Sequence, residues 1–475
     1  MAPGFAGERT AGTPKAVSEV GRAVKRNVAF VSNYYKTEFF SEIAKRLREE
    51  GVGVYWFSVN SRIDARLRED YPAESVLYLG KGYKDKRSEK VGEFKLNELI
   101  HGDRALRHYQ GWATDYLVNI QKPVYEFIRR NEIGLVLGEI TWAHELLIHR
   151  ICSQQKELGS RYLNLHTVRI PNGRFAFFED EFQSKIHEVA PSAAGPLQAV
   201  PSEAGCAFKV EKPAYLAMND KALRKSRSVA ERLKKIKRFI TEENIDPDDP
   251  TLIPDRWIRF KVRAAEEVNR ELYRLVKKTP FEEVKGRKYV YVALHKQPEA
   301  SIDVMGRYYD DQLLNITNLW RIVPDDWLVV VKEHTNAIGD RGPGFYRALK
   351  RLRNVVLVDE LADSYDLIKQ SELVATVTGT VAYEAALMGK RSITFAPAFF
   401  NRFGLCRNVG VETLRDAGNI QALLASFSDD GVEAASREIL EQSFEGVIGD
   451  TFANPGCIEK GNIDKIAKAI LTVSR

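Results

Sequence analysis

The stretch from Ser371 to Phe395, SELVATVTGTVAYEAALMGKRSITF, constrains the fold more than any other part of the chain. Its hydrophobic pattern predicts a strand from Leu373 to Val377, a turn at Thr378 to Thr380, a helix, and a second strand from Ser392 to Phe395. Gly389 fits the end of the helix, because glycine adopts the left-handed conformation common there. Two apolar strands joined by a helix predict a parallel sheet, and therefore an α/β fold.

The turn at Thr378 to Thr380 also predicts a ligand, because it places the start of a helix at the carboxyl end of a strand. The first N–H groups of a helix have no partners within it and carry a partial positive charge, so they bind anions such as phosphate. The sequence therefore predicts a phosphorylated ligand at this turn.

Strands and helices alternate in the same way in two parts of the chain. Alternation of this kind predicts parallel sheets with helices on both faces, and ligands bind at the carboxyl ends of such strands. We therefore predict two Rossmann-like, doubly wound domains that face a central cleft. The predicted strands are 27–32, 53–57, 133–137 and 161–165 in the first part, and 288–294, 327–332, 354–357, 373–377 and 392–395 in the second.

Composition and pattern divide the chain into segments. Residues 1–26 are rich in Gly, Ala and charge without periodicity, so we predict a disordered leader. Residues 27–280 form the first domain, of which 185–280 are predicted to be a helical extension. Residues 285–445 form the second domain, and 446–475 form a helical segment that we expect to pack back on the first domain.

The composition describes a globular protein: of the 475 residues, 44% are hydrophobic and 29% are charged. No apolar run reaches the roughly 18 residues of a spanning helix, and residues 1–26 lack the apolar core of a signal peptide. We therefore expect a cytoplasmic protein. The four cysteines lie far apart in the sequence, so neither a disulfide framework nor a zinc site is expected.

Residues 221–238, KALRKSRSVAERLKKIKR, contain nine Lys or Arg and one Glu. A run of this kind is typical of a solvated helix face, and it also suits contact with anionic lipid or an acidic polymer. Aromatic residues do not alternate with the basic ones, so nucleic-acid binding is not expected. Peripheral association with the inner membrane surface is the specific expectation.

Polar residues cluster where strands of the second domain end, in LHKQPEAS, VVKEHTN and TVTGTVAYEA. Amides at the turn, threonine hydroxyls, a lysine and histidines would bind a phosphate, and a glutamate one turn into the helix would accept hydrogen bonds from ribose hydroxyls. The alternative is that the threonines only cap the helix and the histidine is hydrogen-bonded at a strand end. The candidate nucleotide-binding residues are Gln297, Lys332, His334, Thr378, Gly379, Thr380 and Glu384, with His295 beside them.

Residues 289–400 resemble the nucleotide-sugar domain of GT-B glycosyltransferases, and most closely the capsule polysaccharide biosynthesis family that includes bacterial Kdo transferases. The Gln-Pro motif of that family is matched by Gln297 and Pro298, and its Gly-Thr plus Glu-Ala helix start by Gly379, Thr380, Glu384 and Ala385. Its His-Pro motif is only half matched, because His334 is followed by Thr335.

The resemblance implies a GT-B-like fold in which residues 285–445 bind a nucleotide sugar, such as CMP-Kdo, and residues 27–280 bind the acceptor. The sugar would be transferred to a surface glycan or glycolipid. No cofactor is implied, since the nucleotide sugar is a substrate. No Asp-X-Asp motif stands at a strand end, and FEDEF and DPDDP are predicted to be loops, so we expect a metal-independent enzyme.

The first domain must then supply a general base or a carboxylate nucleophile. Glu139 is the first candidate, because it ends the apolar strand GLVLGEI and a carboxylate facing the core would be costly to bury. Asp103 and Arg104 are the second choice, and His166 and Arg169 the third. Each has a structural alternative: a helix cap for the aspartate, an ion pair for Arg104, and a backbone hydrogen bond for the histidine.

Two other functions remain open. A nucleotide-sugar 2-epimerase would use a similar pair of domains and a similar helix start, and it would need no acceptor. A non-catalytic binding partner in polysaccharide assembly would use residues 221–238 as its docking surface.

Overall fold

The computed structural model describes residues 27–189, 245–428, 431–452 and 454–474. The predicted disordered leader, 1–26, and the basic run, 221–238, lie outside these ranges. None of the helices in the described ranges is long and apolar enough to span a membrane. The strands are β1 Asn27–Val31, β2 Val54–Ser58, β3 Val76–Tyr78, β4 Ile133–Gly138, β5 Arg161–Thr167, β6 Arg174–Phe178, β7 Tyr289–Ala293, β8 Leu328–Lys332, β9 Val355–Val358, β10 Leu373–Thr376, β11 Ser392–Thr394, β12 Cys406–Asn408 and β13 Phe444–Glu445.

Helices connect these strands and cover both faces of each sheet. The first eight are α1 Lys36–Glu49, α2 Ser61–Asp70, α3 Leu96–Gly102, α4 Gln110–Arg130, α5 Ala143–Gln154, α6 Arg256–Arg274, α7 Phe281–Val284 and α8 Ala300–Asp303. They are followed by α9 Gln312–Trp320, α10 Pro343–Arg351, α11 Ser364–Gln370, α12 Thr380–Leu387, α13 Val411–Ala417, α14 Ile420–Ala425, α15 Val432–Glu441 and α16 Lys460–Val473.

The first sheet has the strand order β13-β6-β5-β4-β1-β2-β3. Strands β1 to β5 are parallel, whereas β6 runs antiparallel to β5, and β13 antiparallel to β6. Side chains alternate between the two faces of β1: Val28 and Phe30 enter one apolar core, and Ala29 and Val31 enter the other. The sheet is therefore buried on both sides, as a doubly wound sheet requires.

The second sheet has the order β12-β11-β10-β7-β8-β9, and all its strands are parallel. If these six strands are numbered 1 to 6 along the chain and the sheet is read from β9 to β12, the order is 3-2-1-4-5-6, that of a Rossmann fold. Val290 and Val292 enter one core, while Tyr289 and Tyr291 enter the other. Two Rossmann-like domains thus face a cleft, so the predicted GT-B-like fold class is confirmed.

The domain boundaries differ in part from those predicted. Helix α6 was assigned to the first domain, 27–280, but its Tyr273 is buried in a core of the second sheet and its hydroxyl donates to Glu360 at 3.0 Å. At the other boundary the chain returns to the first sheet at β13, inside the range predicted for the second domain. Helix α16 then packs on α1, where Arg46 lies 2.8 Å from Asp464.

The domains contact each other through an apolar interface and an ionic one. In the apolar interface, Ile170 and Phe178 of the first domain pack with Tyr383 and Phe399 of the second, and the Tyr383 hydroxyl donates to the Ile170 carbonyl at 2.9 Å. In the ionic interface, Arg307 of the second domain pairs with Glu98 and with Glu181 of the first. Arg107 and Asp303 add a further ion pair across the same interface at 2.9 Å. These contacts fix the width of the cleft.

Candidate functional site

A cleft of about 860 Å³ lies between the two sheets. This volume is typical of small-ligand sites. Strand ends and the loops after them line it, as expected for open α/β sheets. Of the residues named from the sequence, the lining includes Arg104, Glu139, His166 and Arg169 of the first domain and His295, Lys332, His334, Thr378, Gly379, Thr380 and Glu384 of the second.

Two named residues do not line the cleft. The Gln297 amide donates to Asp303 at 2.9 Å and so holds the loop behind the cleft. Asp103 is buried, and its carboxylate accepts backbone N–H bonds from Ala105, Leu106 and Ala143. Burial raises the pKa of Asp103 while these N–H groups oppose the rise. Both oxygens of Asp103 therefore serve a turn and the start of α5, which is the structural alternative stated for this aspartate.

The turn between β10 and α12 leaves the first N–H groups of α12 without a side-chain cap. The Thr378 hydroxyl donates instead to the Ser301 carbonyl at 2.8 Å, so capping by this threonine is not its function. Gly379 is required by space, since a Cβ there would lie 2.7 Å from the Thr376 hydroxyl oxygen. The turn thus presents backbone donors to the cleft, as an anion site needs.

His295 and His334 lie beside this turn as neutral rings. Burial, helped by the charge of Arg341, lowers the pKa of His295 to about 3. Its Nε2 accepts the Thr378 N–H at 3.1 Å, so its proton is on Nδ1. Burial also lowers the pKa of His334, whose Nδ1 accepts the Asn336 N–H at 3.2 Å and whose proton is therefore on Nε2. Each ring keeps one N–H donor at physiological pH.

The second domain also contributes a lysine and a carboxyl group to the cleft. Lys332 Nζ donates to the Ser364 hydroxyl at 2.6 Å and adds positive charge beside the turn. Glu384 is one turn into α12 and only 7% exposed. Burial raises the pKa of Glu384 to about 7, although Arg169 and Tyr365 oppose the rise. Arg169 belongs to the first domain, so a charge of the first domain acts on a carboxyl group of the second.

Glu139 lies on the first-domain side of the cleft. Its Oε1 is 3.1 Å from Lys36 Nζ, and its Oε2 accepts the Asn33 amide at 3.0 Å. Burial opposes ionisation, but Lys36, with a smaller contribution from Arg104, holds the pKa of Glu139 below its ordinary value. Glu139 is therefore an ionised carboxylate at neutral pH.

His166 stands near Glu139 as a neutral imidazole. Burial and the charge of Arg169 lower the pKa of His166 to about 4. Its Nδ1 donates to the Thr167 carbonyl at 3.0 Å, so Nε2 carries a lone pair. The backbone bond expected as the structural alternative is present, yet the ring still lines the cleft with an accepting nitrogen.

Sequence reasoning missed Glu145, which lies under Glu139. Its Oε2 accepts from the Thr141 N–H and hydroxyl and from the Trp142 N–H, so it caps the start of α5. Burial and the charge of Glu139 raise the pKa of Glu145 to about 8. The pair thus holds one ionised and one protonated carboxyl group. The signal available in the sequence was the Thr-X-X-X-Glu spacing at a helix start.

Lys36, Asn33 and Asn164 were also missed. The first two follow β1, in NYYK, and become neighbours of Glu139 only through the pairing of β1 with β4. Asn164 is on β5 and lines the cleft floor. Among the described residues, no group of three or more His, Cys, Asp or Glu side chains is arranged to hold a metal ion.

Comparison with known proteins gives structural likeness only. No protein-family model matches the chain, and no curated protein matches it. Among solved structures it is similar to the KpsC beta Kdo 2,7 transferase of Thermosulfurimonas dismutans, with 11% identity and a TM-score of 0.32, over 82% of this chain and 88% of that one.

A UDP-GlcNAc 2-epimerase of Methanocaldococcus jannaschii, solved with UDP-GlcNAc and UDP, is 12% identical with a TM-score of 0.28, over 94% of this chain and 99% of that one. The KpsC beta Kdo 2,4 transferase of Thermosulfurimonas dismutans is 15% identical with a TM-score of 0.29, over 71% and 87%. These values assign no family, so function must be argued from the residues of the cleft.

Proposed function

We propose that the protein is a metal-independent glycosyltransferase that moves a sugar from a nucleotide sugar, such as CMP-Kdo, to a glycan or glycolipid acceptor. One observation carries the proposal. The uncapped start of α12, with its neutral histidines and Lys332, faces an ionised Glu139 across one cleft. Donors for a leaving phosphate and a base for an incoming hydroxyl are the two requirements of glycosyl transfer.

The second domain would bind the nucleotide. Its phosphate would accept hydrogen bonds from the first N–H groups of α12 and from the protonated nitrogens of His295 and His334. Lys332 would contribute charge. Glu384 in its ionised form would accept hydrogen bonds from the ribose hydroxyls, and its pKa near 7 makes that form accessible at neutral pH. The partial positive charge at the helix start would stabilise the phosphate as its bond to the sugar breaks.

The first domain would bind and activate the acceptor. Glu139 would take the proton of the acceptor hydroxyl while that oxygen forms its bond to the anomeric carbon and the bond from that carbon to phosphate breaks. Lys36 and Asn33 would hold the carboxylate in place through both of its oxygens. Arg104 and Arg169 would add positive charge to this side, and His166 offers a second accepting atom, Nε2.

A nucleotide-sugar 2-epimerase is the second candidate. Ionised Glu139 beside neutral His166 is a pair that suits removal of a proton from a sugar carbon as well as from a hydroxyl. The nucleotide would bind in the same way. The two functions differ in that only the transferase needs an acceptor.

Nucleotide titration tests the first requirement of the proposal, which is that the protein binds a nucleotide. We would titrate the full chain with CMP, UDP and GDP by calorimetry, and repeat the tightest case with Glu384→Ala, with His334→Ala and with Glu412→Ala, an exposed glutamate of the same domain, as the control. The first two variants should lose at least tenfold in affinity and the control none. If no nucleotide binds, the protein is not a nucleotide-sugar enzyme and the binding-partner alternative leads.

Product analysis then separates the two enzymes. CMP binding would direct the next assay to CMP-Kdo, and UDP binding to UDP sugars. Release of nucleotide that depends on an added acceptor would support the transferase. Conversion of the sugar without any acceptor would establish the epimerase and overturn the transferase.

A further inference from the structure

The carboxamide of Asn164 is buried without hydrogen bonds at the floor of the cleft. The residue is 1% exposed, and neither Nδ2 nor Oδ1 has a partner among the described residues. Such burial is costly, because an amide in water bonds through both atoms. Asn164 lines the cleft, and in the sheet register it lies opposite Gly138, the residue before Glu139. A ligand bound beside Glu139 would therefore be placed to form the hydrogen bonds that the Asn164 amide lacks.

Arg104 presents a second polar group to the same cleft. Its guanidinium stacks on the Trp142 ring at 4.4 Å, and its Nε is buried without a hydrogen bond. It forms no ion pair within the described ranges. The nearby carboxylates are already occupied: Asp103 by three backbone N–H groups and Glu139 by Lys36 and Asn33. The indole fixes the plane of the guanidinium, which is how arginine is prepared for a planar anion.

The two groups flank Glu139 from different elements. Asn164 is on β5 next to the strand that ends at Glu139, and Arg104 is in the loop after α3, with its charge acting on Glu139. Both belong to the first domain, away from the nucleotide turn. The uncharged amide can donate to one hydroxyl and accept from another, whereas the arginine selects an anion.

We infer that Asn164 and Arg104 form an acceptor subsite for a hydroxylated sugar that carries an anionic group. The amide binds hydroxyls next to the one that reacts, and the guanidinium binds a carboxylate or a phosphate on the same molecule. That the bound sugar is an acceptor rests on the proposed glycosyl transfer. That the subsite exists rests only on the unsatisfied groups of Asn164 and Arg104. A neutral sugar would offer no anion to the guanidinium and should bind much more weakly.

Ligand-observed NMR on the full chain tests the subsite directly. We would measure the affinities of glucuronate, glucose 6-phosphate and glucose, with and without a saturating nucleotide. At least one charged sugar should bind ten times or more tighter than glucose. The two charged sugars separate a carboxylate-selective site from a phosphate-selective one. Equal affinity for glucose and both charged sugars would overturn the inference.

Two variants assign the effect to its residues. Arg104→Met keeps the packing on Trp142 but removes the charge, so it should reduce the affinity for the charged sugars to that for glucose. Asn164→Leu keeps the volume but removes both polar atoms. It should weaken all three sugars and leave the melting temperature equal or higher, because an unsatisfied amide has been removed. Unchanged sugar binding in either variant would refute the role given to that residue.

Nucleotide binding is the control in both variants and should be unchanged, since neither residue lies at the α12 turn. If no nucleotide binds even to the wild-type protein but the charged sugars do, the proposed transferase fails and the subsite stands. Displacement of the charged sugars by nucleotide would show one shared site and contradict the subsite.

Discussion

The ammonium of Lys36, at the start of α1, lies 3.1 Å from the carboxylate of Glu139, at the end of β4. The contact exists because β1 and β4 are neighbours in the sheet, although the residues are far apart in sequence. Removing a carboxylate from water favours its neutral form, and a nearby cation reverses that preference. The ion pair therefore decides the protonation state of the proposed base.

Lys36→Met should raise the pKa of Glu139, because burial then acts without the opposing charge. In the proposed transferase, the acid limb of the pH profile of kcat/KM should move to higher pH by about one unit or more. Lys45→Met, which removes an exposed lysine from the same helix, is the control. An unchanged acid limb in Lys36→Met would show that Glu139 is not the group that limits activity at low pH.

Nucleotide affinity should rise with pH through the titration of Glu384. Its folded pKa is about 7, and only the ionised form accepts two ribose hydrogen bonds, so affinity should increase about tenfold from pH 6 to pH 8. Phosphate ionisation adds its own pH dependence, which Glu384→Gln retains. The difference between the two calorimetric profiles therefore isolates the carboxyl group. Parallel profiles would exclude Glu384 from ribose binding.

Stability should fall as pH rises because of Glu145. Burial and Glu139 raise its pKa from 4.5 to about 8, so between these values the folded state holds a proton that the unfolded state has lost. The contribution is fully present below pH 4.5 and decreases by at most about 1.4 kcal/mol per pH unit up to pH 8. Glu145→Gln should flatten this decline, as measured by urea unfolding from pH 5 to pH 8. Equal slopes in the two proteins would contradict the shift.

Gly379→Ala should distort the turn before α12. The added Cβ would lie 2.7 Å from the Thr376 hydroxyl oxygen, so the turn must move and the protein should lose about 1 to 3 kcal/mol of unfolding free energy. Nucleotide affinity should fall with it. Gly344→Ala, at an open position in the first turn of α10, should change neither property. Unaltered affinity in Gly379→Ala would separate the turn from the ligand.

Membrane association should depend on residues 221–238, which lie outside the described ranges. Each basic residue near an anionic surface contributes about 1 kcal/mol, so the protein should sediment with vesicles that contain phosphatidylserine and not with neutral ones. Glutamine at five of the nine basic positions should abolish sedimentation. Binding that persists in this variant would place the membrane contact elsewhere.

The pattern of strands and helices could be predicted wherever the elements are local and apolar. The strands β7 to β11 and the turn before α12 follow from the hydrophobic pattern, because each strand is a short apolar run bounded by polar or turn residues. Four strands could not be predicted in this way: β3 and β12 have three residues each, β13 has two, and β6 pairs antiparallel with both its neighbours. These strands are stabilised by pairing with neighbouring strands of the sheet, and the local sequence pattern does not show that pairing.

The candidate site could be predicted in part for the same reason. Strand ends locate Glu139, His334 and the turn before α12, since chain direction fixes the edge at which they lie. The position of Asp103 outside the cleft could not be predicted, because an acidic residue before a turn has the same local signature whether it caps a helix or faces a ligand. Asn164 was missed because an amide in an apolar strand is informative only when its partners are known to be absent.

The first domain is discontinuous in sequence, since β13 and α16 complete it from the end of the chain. A fragment that stops at residue 280 would expose the apolar face of α1, which normally packs against Ile466 and Ile470, and would leave β6 as an unpaired edge. The second domain, by contrast, is an insert between two parts of one scaffold. To exchange that domain between related proteins, an internal segment would have to be replaced, with one junction before Arg256 and another after Glu441. Joining two halves at a single point would not be enough.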